Sequence, residues 1–294
     1  MSDLPQTEAV NERTRDMDLL STPALIDLLI SEQREALGAV AEEHDRIAEV
    51  VDTIASHLRK GGRLHYVGAG TSGRLGFLDA SECPPTFGTP PELVCAHIAG
   101  GVAAIARAVE GAEDDVAAGA AEMRDHVNAN DAVIGLSASG SAPFVVGAIK
   151  AAREKGAWTV AVTHDPESDV ANAADASIVL RTGAEPLAGS TRLRAGTAQK
   201  VLLNAISTAT MIRLNKVHGN LMVDVVATNK KLRRRAIRLV VQLANVPEER
   251  AAELLREAGG RVKIAAIMGR NDVSADKAQT LLDAADGSLR AALG

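Results

Sequence analysis

The sequence GAGTSGRLGFLDASECPPTFGT at residues 68–89 carries more information about fold and function than any other stretch of this chain. It begins with closely spaced glycines and the hydroxyl residues Thr71 and Ser72, directly after the short strand-like run 63–67. Glycines let the backbone approach an anion closely, and a following helix adds free N–H groups at the same point. The stretch then reaches an isolated carboxylate, Glu82, beside a cysteine and two prolines. A phosphate-binding loop followed by such an acid indicates an enzyme acting on a phosphorylated metabolite.

A second loop of the same kind follows another apolar run. The sequence SASGS at 137–141 comes after AVIGL at 132–136 and precedes a helical pattern with proline in its first turn. Ligands of open parallel sheets bind at the carboxyl ends of the strands, so both loops are expected to face one anion. The residues expected to contact phosphate are Gly70, Thr71, Ser72, Ser137, Ser139 and Ser141.

The glycine pattern does not indicate a nucleotide. A dinucleotide-binding fingerprint needs an acid about 20 residues on, at the end of a second strand, and Glu92 instead precedes its strand. The sequence also lacks the glycine-lysine signature of a P-loop.

The order of patterns along the 294 residues predicts an α/β fold. Strand-like runs alternate with helical stretches, which favours a mainly parallel sheet with helices on both faces. These runs lie at 63–67, 93–98, 132–136, 158–162 and 176–180.

Three regions are expected along the chain. Residues 1–60 form a loosely held arm, up to residue 20, followed by helices; 61–230 form the sheet domain, and 231–294 form a small all-α domain. A long apolar helix at 192–215 belongs either to the core or to a subunit interface. We identify no internal repeat.

Composition excludes several classes of function. The net charge of −6 argues against a general nucleic-acid binder, and the basic run 230–235 fits a solvated helix face. Two cysteines form neither a disulfide framework nor a four-ligand metal site. No apolar run approaches the roughly 20 residues of a membrane span, so we expect a cytoplasmic protein without membrane contact.

Residues 61–229 resemble the sugar isomerase (SIS) fold, and almost the whole chain is similar to the N-acetylmuramic acid 6-phosphate etherase family. The glucokinase regulatory protein shares part of this pattern in a larger, duplicated chain. The segments that carry the resemblance are GAGTSGRLGFLDASECPPTFGT at 68–89, IAGG at 98–101, EGAEDD at 110–115, GSTRLRAGTAQKVLLN at 189–204 and KVHGNLMVDVVATNKKL at 216–232.

The resemblance implies an enzyme of cell-wall sugar recycling that removes D-lactate from C3 of an amino sugar phosphate, by elimination and then hydration. It implies no cofactor and no metal. Glu82 and Glu113 match the two catalytic glutamates of the family. The uncharged sequence neighbours of Glu82 favour its protonated form, so we expect Glu82 to protonate the departing lactate. Glu113, beside Asp114 and Asp115, is expected to move the C2 proton or activate water.

Several further residues are weaker candidates. Ser190 and Thr191 are expected to bind substrate, although hydroxyls at a helix start are also common caps. Either Arg192 or Arg194 could hold the lactyl carboxylate. The remaining candidates near substrate are Lys216, His218 and Asn220.

Three other histidines stand singly in the sequence. His65, His97 and His164 are scattered and are expected to be core or loop residues rather than metal ligands.

The distance from the first loop to Glu82 bears on assembly. If residues 74–80 are helical, they carry the chain about 10 Å, similar to the span of a sugar from its phosphate to C3. A longer helix would make Glu82 serve a neighbouring subunit, so we expect a homodimer with sites near its interface.

The alternative functions are a non-catalytic sugar-phosphate sensor and a sugar-phosphate isomerase.

Overall fold

The computed structural model describes residues 6–225 and 230–294, which divide into two compact units. The first unit comprises residues 6–81 and 92–207. The second comprises 82–91 and the described residues from 208 onwards. This division differs from the predicted one: the N-terminal helices belong to the first unit, and the second begins before residue 231.

A five-stranded parallel sheet forms the centre of the first unit and confirms the predicted α/β class. The strand order is β2-β1-β3-β4-β5. The register aligns Gly68 with Ile98 on one side and with Leu136 on the other. The strands are β1 (Leu64–Gly68), β2 (Val94–Ile98), β3 (Ala132–Leu136), β4 (Trp158–Thr163) and β5 (Ala176–Val179).

Helices connect these strands and precede them. The helices are α1 (Thr22–Glu32), α2 (Arg34–Glu42), α3 (His44–Arg59), α4 (Gly70–Phe87), α5 (Ala103–Ala106), α6 (Val116–His126), α7 (Pro143–Glu154), α8 (Asp169–Ala173) and α9 (Arg194–Arg213). Helix α4 is much longer than the predicted 74–80, and it contains Pro84 and Pro85. Helix α9 is not buried on all sides, because Lys200, Thr208 and Ile212 form an exposed stripe.

Helices α6 and α7 cross at unusually close range. A Cβ atom on Gly119 would lie 1.9 Å from the carbonyl oxygen of Phe144, and one on Gly147 would lie 2.2 Å from that of Val116. A larger residue at either position would therefore separate the helices. The crossing fixes the start of α6 against the start of α7.

The N-terminal segment is not the loosely held arm that we predicted. Its described part is anchored within the first unit: the Thr14 hydroxyl donates to Pro186 O at 2.7 Å, and Gly189 N donates to Thr7 O at 3.0 Å. Both threonines are buried. The prediction rested on the polar composition of this segment, but these polar groups are hydrogen-bonded to the protein rather than exposed to solvent.

The second unit contains a short hairpin and five helices around its own apolar core. None of the helices within residues 6–225 and 230–294 is both long and apolar enough to cross a bilayer. The elements are β6 (Val217–His218), β7 (Leu221–Met222), α10 (Lys230–Ala244), α11 (Glu248–Glu257), α12 (Val262–Asn271), α13 (Ala275–Ala284) and α14 (Leu289–Leu293).

The pairs α11–α12 and α13–α14 repeat one hairpin at an offset of 27 residues, a repeat that sequence analysis missed. Gly260 N donates to Leu255 O at 2.8 Å, and the equivalent Gly287 N donates to Leu282 O at 2.9 Å. Both turns place two residues in the left-handed region. The repeated pattern LL–A–G is visible in the sequence at 254–260 and 281–287.

A buried carboxylate links β1, α4 and α9. Asp79 accepts hydrogen bonds from the Tyr66 hydroxyl at 2.9 Å, Asn204 Nδ2 at 2.7 Å and the Ser207 hydroxyl at 3.1 Å. Burial raises the pKa of Asp79, although these donors act in the opposite direction.

We predict that Asp79→Ala lowers the free energy of unfolding by about 3 kcal/mol, because it leaves buried donors without an acceptor. Asp79→Asn, which keeps an acceptor oxygen, is expected to cost less.

The raised pKa means that the folded chain holds the Asp79 proton more tightly than the unfolded chain does. The stability of wild type relative to Asp79→Asn should therefore fall as pH rises from about 4 to 7. Urea unfolding across this range measures both effects, and a rise in relative stability would contradict the assignment.

Candidate active site

The two predicted loops lie at neighbouring strand ends of the first unit. The loop at 68–73 follows β1, and the loop at 137–141 follows β3, which pairs directly with β1. The chain leaves β1 for β2 on one side and returns to β3 on the other, so these loops flank the point where the strand order reverses. Ligands of open α/β sheets bind at such points. Helix α4 begins within the first loop, at Gly70, and α7 begins at Pro143 just after the second, and both direct free N–H groups toward this edge.

The serines of the second loop organise it. Ser137 is buried, and its hydroxyl oxygen accepts from Gly140 N at 3.1 Å. The Ser139 hydroxyl oxygen accepts from Ser141 N at 3.3 Å and from the Ser141 hydroxyl at 3.0 Å. Because Ser137 and Ser139 act as acceptors in these bonds, their own hydroxyl hydrogens can donate to an anion.

Thr71 and Ser72 have different environments. Ser72 is buried and donates to Gln199 Oε1 at 2.9 Å. Gln199 Nε2 is buried and has no hydrogen-bond partner among the described residues. Gln199 is therefore a candidate that sequence analysis missed. Its signal was its place in the matched segment 189–204.

Thr71 lines a cavity of about 270 Å³ in the first unit. Arg192, Thr197 and Lys200 line the same cavity. Two exposed cationic side chains beside the first loop make this cavity suited to an anionic group.

Glu113 and Gly70 lie on one pocket of the first unit. Glu113 belongs to a 3-10 turn, Ala112–Asp114, which precedes α6, and its side chain is exposed. The pocket has a volume of about 170 Å³ and is also lined by Arg74. This volume is below the roughly 300 Å³ of the smallest usual ligand pockets, so the pocket can hold part of a sugar phosphate.

Glu82 lies within α4 and in the second unit. Its side chain is exposed, whereas its neighbour Cys83 is buried. The apolar enclosure predicted from the neighbouring residues is therefore absent in the described chain. Sequence neighbours of a helical residue point to other faces of the helix, so the apolar residues next to Glu82 in the sequence do not surround its side chain.

The start of α9 is capped by a residue that sequence analysis did not identify. Glu185 is fully buried, and its carboxylate accepts from Arg194 N at 2.8 Å and Ala195 N at 3.0 Å. Burial raises the pKa of Glu185, and the two N–H donors oppose that effect. Ser190 and Thr191 are half-buried in the turn before α9.

The two arginines left open by the sequence are distinguished by burial. Arg194 is buried and pairs with the carboxylate of Glu32, while its remaining donors reach the carbonyl oxygens of Glu32, Thr182 and Ala184. Arg192 is exposed and lines the Thr71 cavity. Arg192 is therefore the better candidate to bind a carboxylate, and Arg194 has a structural role.

Of the candidates in the second unit, Lys216 belongs to a polar cluster. Lys216 Nζ lies 3.4 Å from Asp224 Oδ2, and Lys263 Nζ lies 2.8 Å from the same oxygen. His218 Nδ1 is buried and has no partner among the described residues. Burial lowers the pKa of His218. Asn220 is exposed in the hairpin turn.

The three histidines expected to be core or loop residues are all buried, and two of them are in contact. His65 Nδ1 lies 3.0 Å from His97 Nε2, a pairing that their separation in the sequence did not indicate. His164 is a core residue: it is buried, its Nδ1 contacts the Thr182 hydroxyl at 3.1 Å, and burial lowers the pKa of His164 to about 4.

Comparison with known proteins first defines the class. A family model of the SIS domain matches residues 109–209, and a model of the glucokinase regulatory protein N-terminal SIS domain matches residues 46–153. A phosphoheptose isomerase from Francisella tularensis shares the fold, with 17% identity and a TM-score of 0.50, covering 65% of this chain and 98% of that one. The chain is a SIS-domain protein.

Full-length relatives then define the family. An N-acetylmuramic acid 6-phosphate etherase of Synechocystis sp. is 48% identical, with 98% of this chain and 94% of the relative covered. Etherases of Geobacillus thermodenitrificans and Symbiobacterium thermophilum are 46% and 51% identical, covering 98% and 89% of this chain and 98% and 87% of the relatives. The chain belongs to the N-acetylmuramic acid 6-phosphate etherase family and is an enzyme.

We predict opposite outcomes for the two arginines of the α9 turn. Arg194→Lys should lower the free energy of unfolding by about 3 kcal/mol, because an ammonium cannot replace the guanidinium contacts around buried Glu32. Arg192→Lys, the matched exposed change, should alter it by less than about 0.5 kcal/mol. Urea unfolding of both variants measures the difference, and equal effects would refute the structural role of Arg194.

Proposed function

We propose that this chain is a carbon-oxygen lyase that cleaves the D-lactyl ether of N-acetylmuramic acid 6-phosphate to N-acetylglucosamine 6-phosphate and D-lactate. The proposal is supported by the identity to the etherases and, above all, by the pocket that Gly70 shares with Glu113. A phosphate-binding strand end and a carboxylate on one pocket are what an acid–base reaction on a sugar phosphate needs.

The reaction balances as an elimination and an addition. In the open-chain sugar the C1 aldehyde acidifies the C2 proton. A base removes this proton, a double bond forms between C2 and C3, and the C3–oxygen bond breaks as the lactate oxygen receives a proton. Water then adds its hydroxyl to C3, and a proton returns to C2.

The residue roles follow from this chemistry. Glu82 donates the proton to the leaving lactate, and Glu113 transfers the C2 proton or activates the water. The strand-end loops hold the phosphate through Gly70, Thr71, Ser72, Ser137, Ser139 and Ser141. Ser190 and Thr191 add hydroxyls beside the Thr71 cavity, and Arg192 binds the lactyl carboxylate.

We further propose that the enzyme is a cytoplasmic homodimer whose sites take residues from both subunits. Glu82 lies twelve residues after Gly70 in one continuous helix, which corresponds to about 18 Å along the helix axis. This exceeds the roughly 10 Å expected if only residues 74–80 were helical. Glu82 is also exposed, whereas a carboxyl group that stays protonated at neutral pH needs an apolar enclosure. A second subunit can supply both the partner residues and the enclosure.

We predict that the pure protein releases D-lactate from N-acetylmuramic acid 6-phosphate, and that Glu82→Gln and Glu113→Gln each reduce the rate by 10²- to 10⁴-fold, the usual contribution of a general acid or base. Glu92→Gln, a change of an exposed glutamate, is the control and should leave the rate unchanged.

Isotope labelling separates the possible outcomes of this assay. In H₂¹⁸O the label should appear at C3 of the sugar and not in lactate. A sugar-phosphate isomerase would produce an isomer without lactate, and a sensor would bind the compound without turnover. Either result would exclude the lyase, whereas lactate release that persists undiminished in Glu82→Gln would exclude Glu82 as the proton donor.

Shared sites predict complementation between inactive subunits. In a dimer of Glu82→Gln and Glu113→Gln chains, one of the two sites receives both intact glutamates. Random exchange of subunits should therefore restore about one quarter of the wild-type activity, because half of the dimers are mixed and half of their sites are active. A mixture that stays inactive after subunit exchange has been verified would show that both glutamates of a site come from one chain.

A further inference from the structure

A chain of ionisable side chains runs through the first unit beside β1 and β2. Glu122 Oε1 lies 2.7 Å from His97 Nδ1, His97 Nε2 lies 3.0 Å from His65 Nδ1, and His65 Nε2 lies 3.2 Å from Asp131 Oδ2. His65 and His97 are buried, with stacked rings 5.2 Å apart. The reaction proposed above uses none of these groups.

The three contacts of this chain need more positive charge than neutral rings supply. Two neutral imidazoles carry two N–H groups, and a carboxylate carries none, so one of the three contacts would join two lone pairs. A third proton, or a metal ion in its place, has to lie in the chain. The contact between Glu122 and His97 lies beside the exposed side chains of Glu122 and His126, so it is the place where an ion could enter from solvent.

We propose that His97, Glu122 and His126 bind one divalent transition-metal ion per chain, with zinc as the expected ion. One ligand atom from each residue lies within 4.8 Å of the other two. Two imidazoles, one carboxylate and an open position for water form a ligand set that zinc accepts in proteins.

The neighbouring residues have the arrangement expected around a metal-bound histidine. With the ion on Nδ1 of His97, its Nε2–H donates to His65 Nδ1, and His65 Nε2–H donates to Asp131. Asp131 is held by Arg63, whose Nη2 lies 3.0 Å away. Both hydrogen bonds then have one donor and one acceptor, and the second ring nitrogen of the ligand His97 is hydrogen-bonded, as in known zinc sites, here to His65, which Asp131 orients in turn.

The site requires a small adjustment and is open to solvent. Tetrahedral ligands at 2.0–2.1 Å from zinc lie about 3.3 Å apart, so Glu122 must move outward by about 0.6 Å from His97. His126 Nδ1 lies 2.8 Å from Glu122 O, so this imidazole either gives up that hydrogen bond or binds the ion through Nε2. Glu122 and His126 are 40% and 52% exposed, one turn apart on α6, which permits this movement and gives the ion a path of entry. The ion would connect β2 to α6 without taking part in turnover.

The test uses tag-free, chelator-treated protein and Co²⁺ as the probe. We expect one Co²⁺ per chain, with the intense visible absorption of a four-coordinate ion, and displacement of that ion by Zn²⁺. His126→Ala and Glu122→Gln should each weaken binding at least tenfold, and both side chains are exposed enough for the fold to tolerate the change. Addition of Zn²⁺ should also raise the Tm of wild type but not of His126→Ala.

A matched control excludes binding by any surface histidine. His44, an exposed histidine whose Nε2 lies 3.1 Å from Asp45 Oδ1, offers a similar pair outside the cluster. His44→Ala should bind Co²⁺ as wild type does. The proposal is overturned if wild type gives no four-coordinate spectrum, or if His126→Ala and His44→Ala bind Co²⁺ equally well. Neither result depends on lactate release, so this proposal and the proposed function can fail separately.

Discussion

The geometry of the candidate site depends on the close crossing of α6 and α7. Only glycine fits at Gly119 and Gly147, where an added Cβ would lie 1.9 Å and 2.2 Å from carbonyl oxygens of the opposite helix, far closer than van der Waals contact allows. Val116, at the start of α6, follows Glu113 by three residues, and Phe144, near the start of α7, follows Ser141 by three. The crossing therefore holds a catalytic carboxylate candidate and a candidate anion-binding loop at the same end of the sheet. Backbone packing, rather than any bond between the functional side chains, determines this placement.

Residues that look equivalent in the sequence divide into structural and ligand-facing groups once burial is known. Ser72 bonds to Gln199 inside the unit, whereas Thr71, its neighbour, lines a cavity. Arg194 neutralises a buried carboxylate, whereas Arg192, two residues earlier, is exposed. In each pair the buried member fixes the position of a helix start, and the open member remains available to an anion. Preorganisation of this kind limits the reorganisation that binding and catalysis require.

The sequence predicted those features that depend on local patterns. All five strands of the sheet were found within two residues, because buried parallel strands are short continuous apolar runs. The extent of α4 was missed because its glycines and Pro84-Pro85 have low helix propensity, which packing overrides. Ser72, Asp79 and Arg194 each bond to a side chain more than 100 residues away in the chain, namely Gln199, Asn204 and Glu32, and no local pattern encodes such pairs. The α11–α14 repeat was visible in the sequence and needed only a comparison of the chain with itself.

The exposure of both glutamates bears on how the enzyme can work. A general acid that is effective at neutral pH needs surroundings that disfavour its charged form, and elimination through an enolate-like state needs water kept away until the hydration step. Neither Glu82 nor Glu113 has such surroundings in the described chain, and the pocket beside Glu113 is smaller than a sugar phosphate. Under the proposed function, one chain supplies the candidate anion-binding edge of the sheet, and the environment that tunes the proposed acid and base has to arise on assembly or on substrate binding. Subunit exchange distinguishes these two origins, because only the first requires glutamates from different chains to meet.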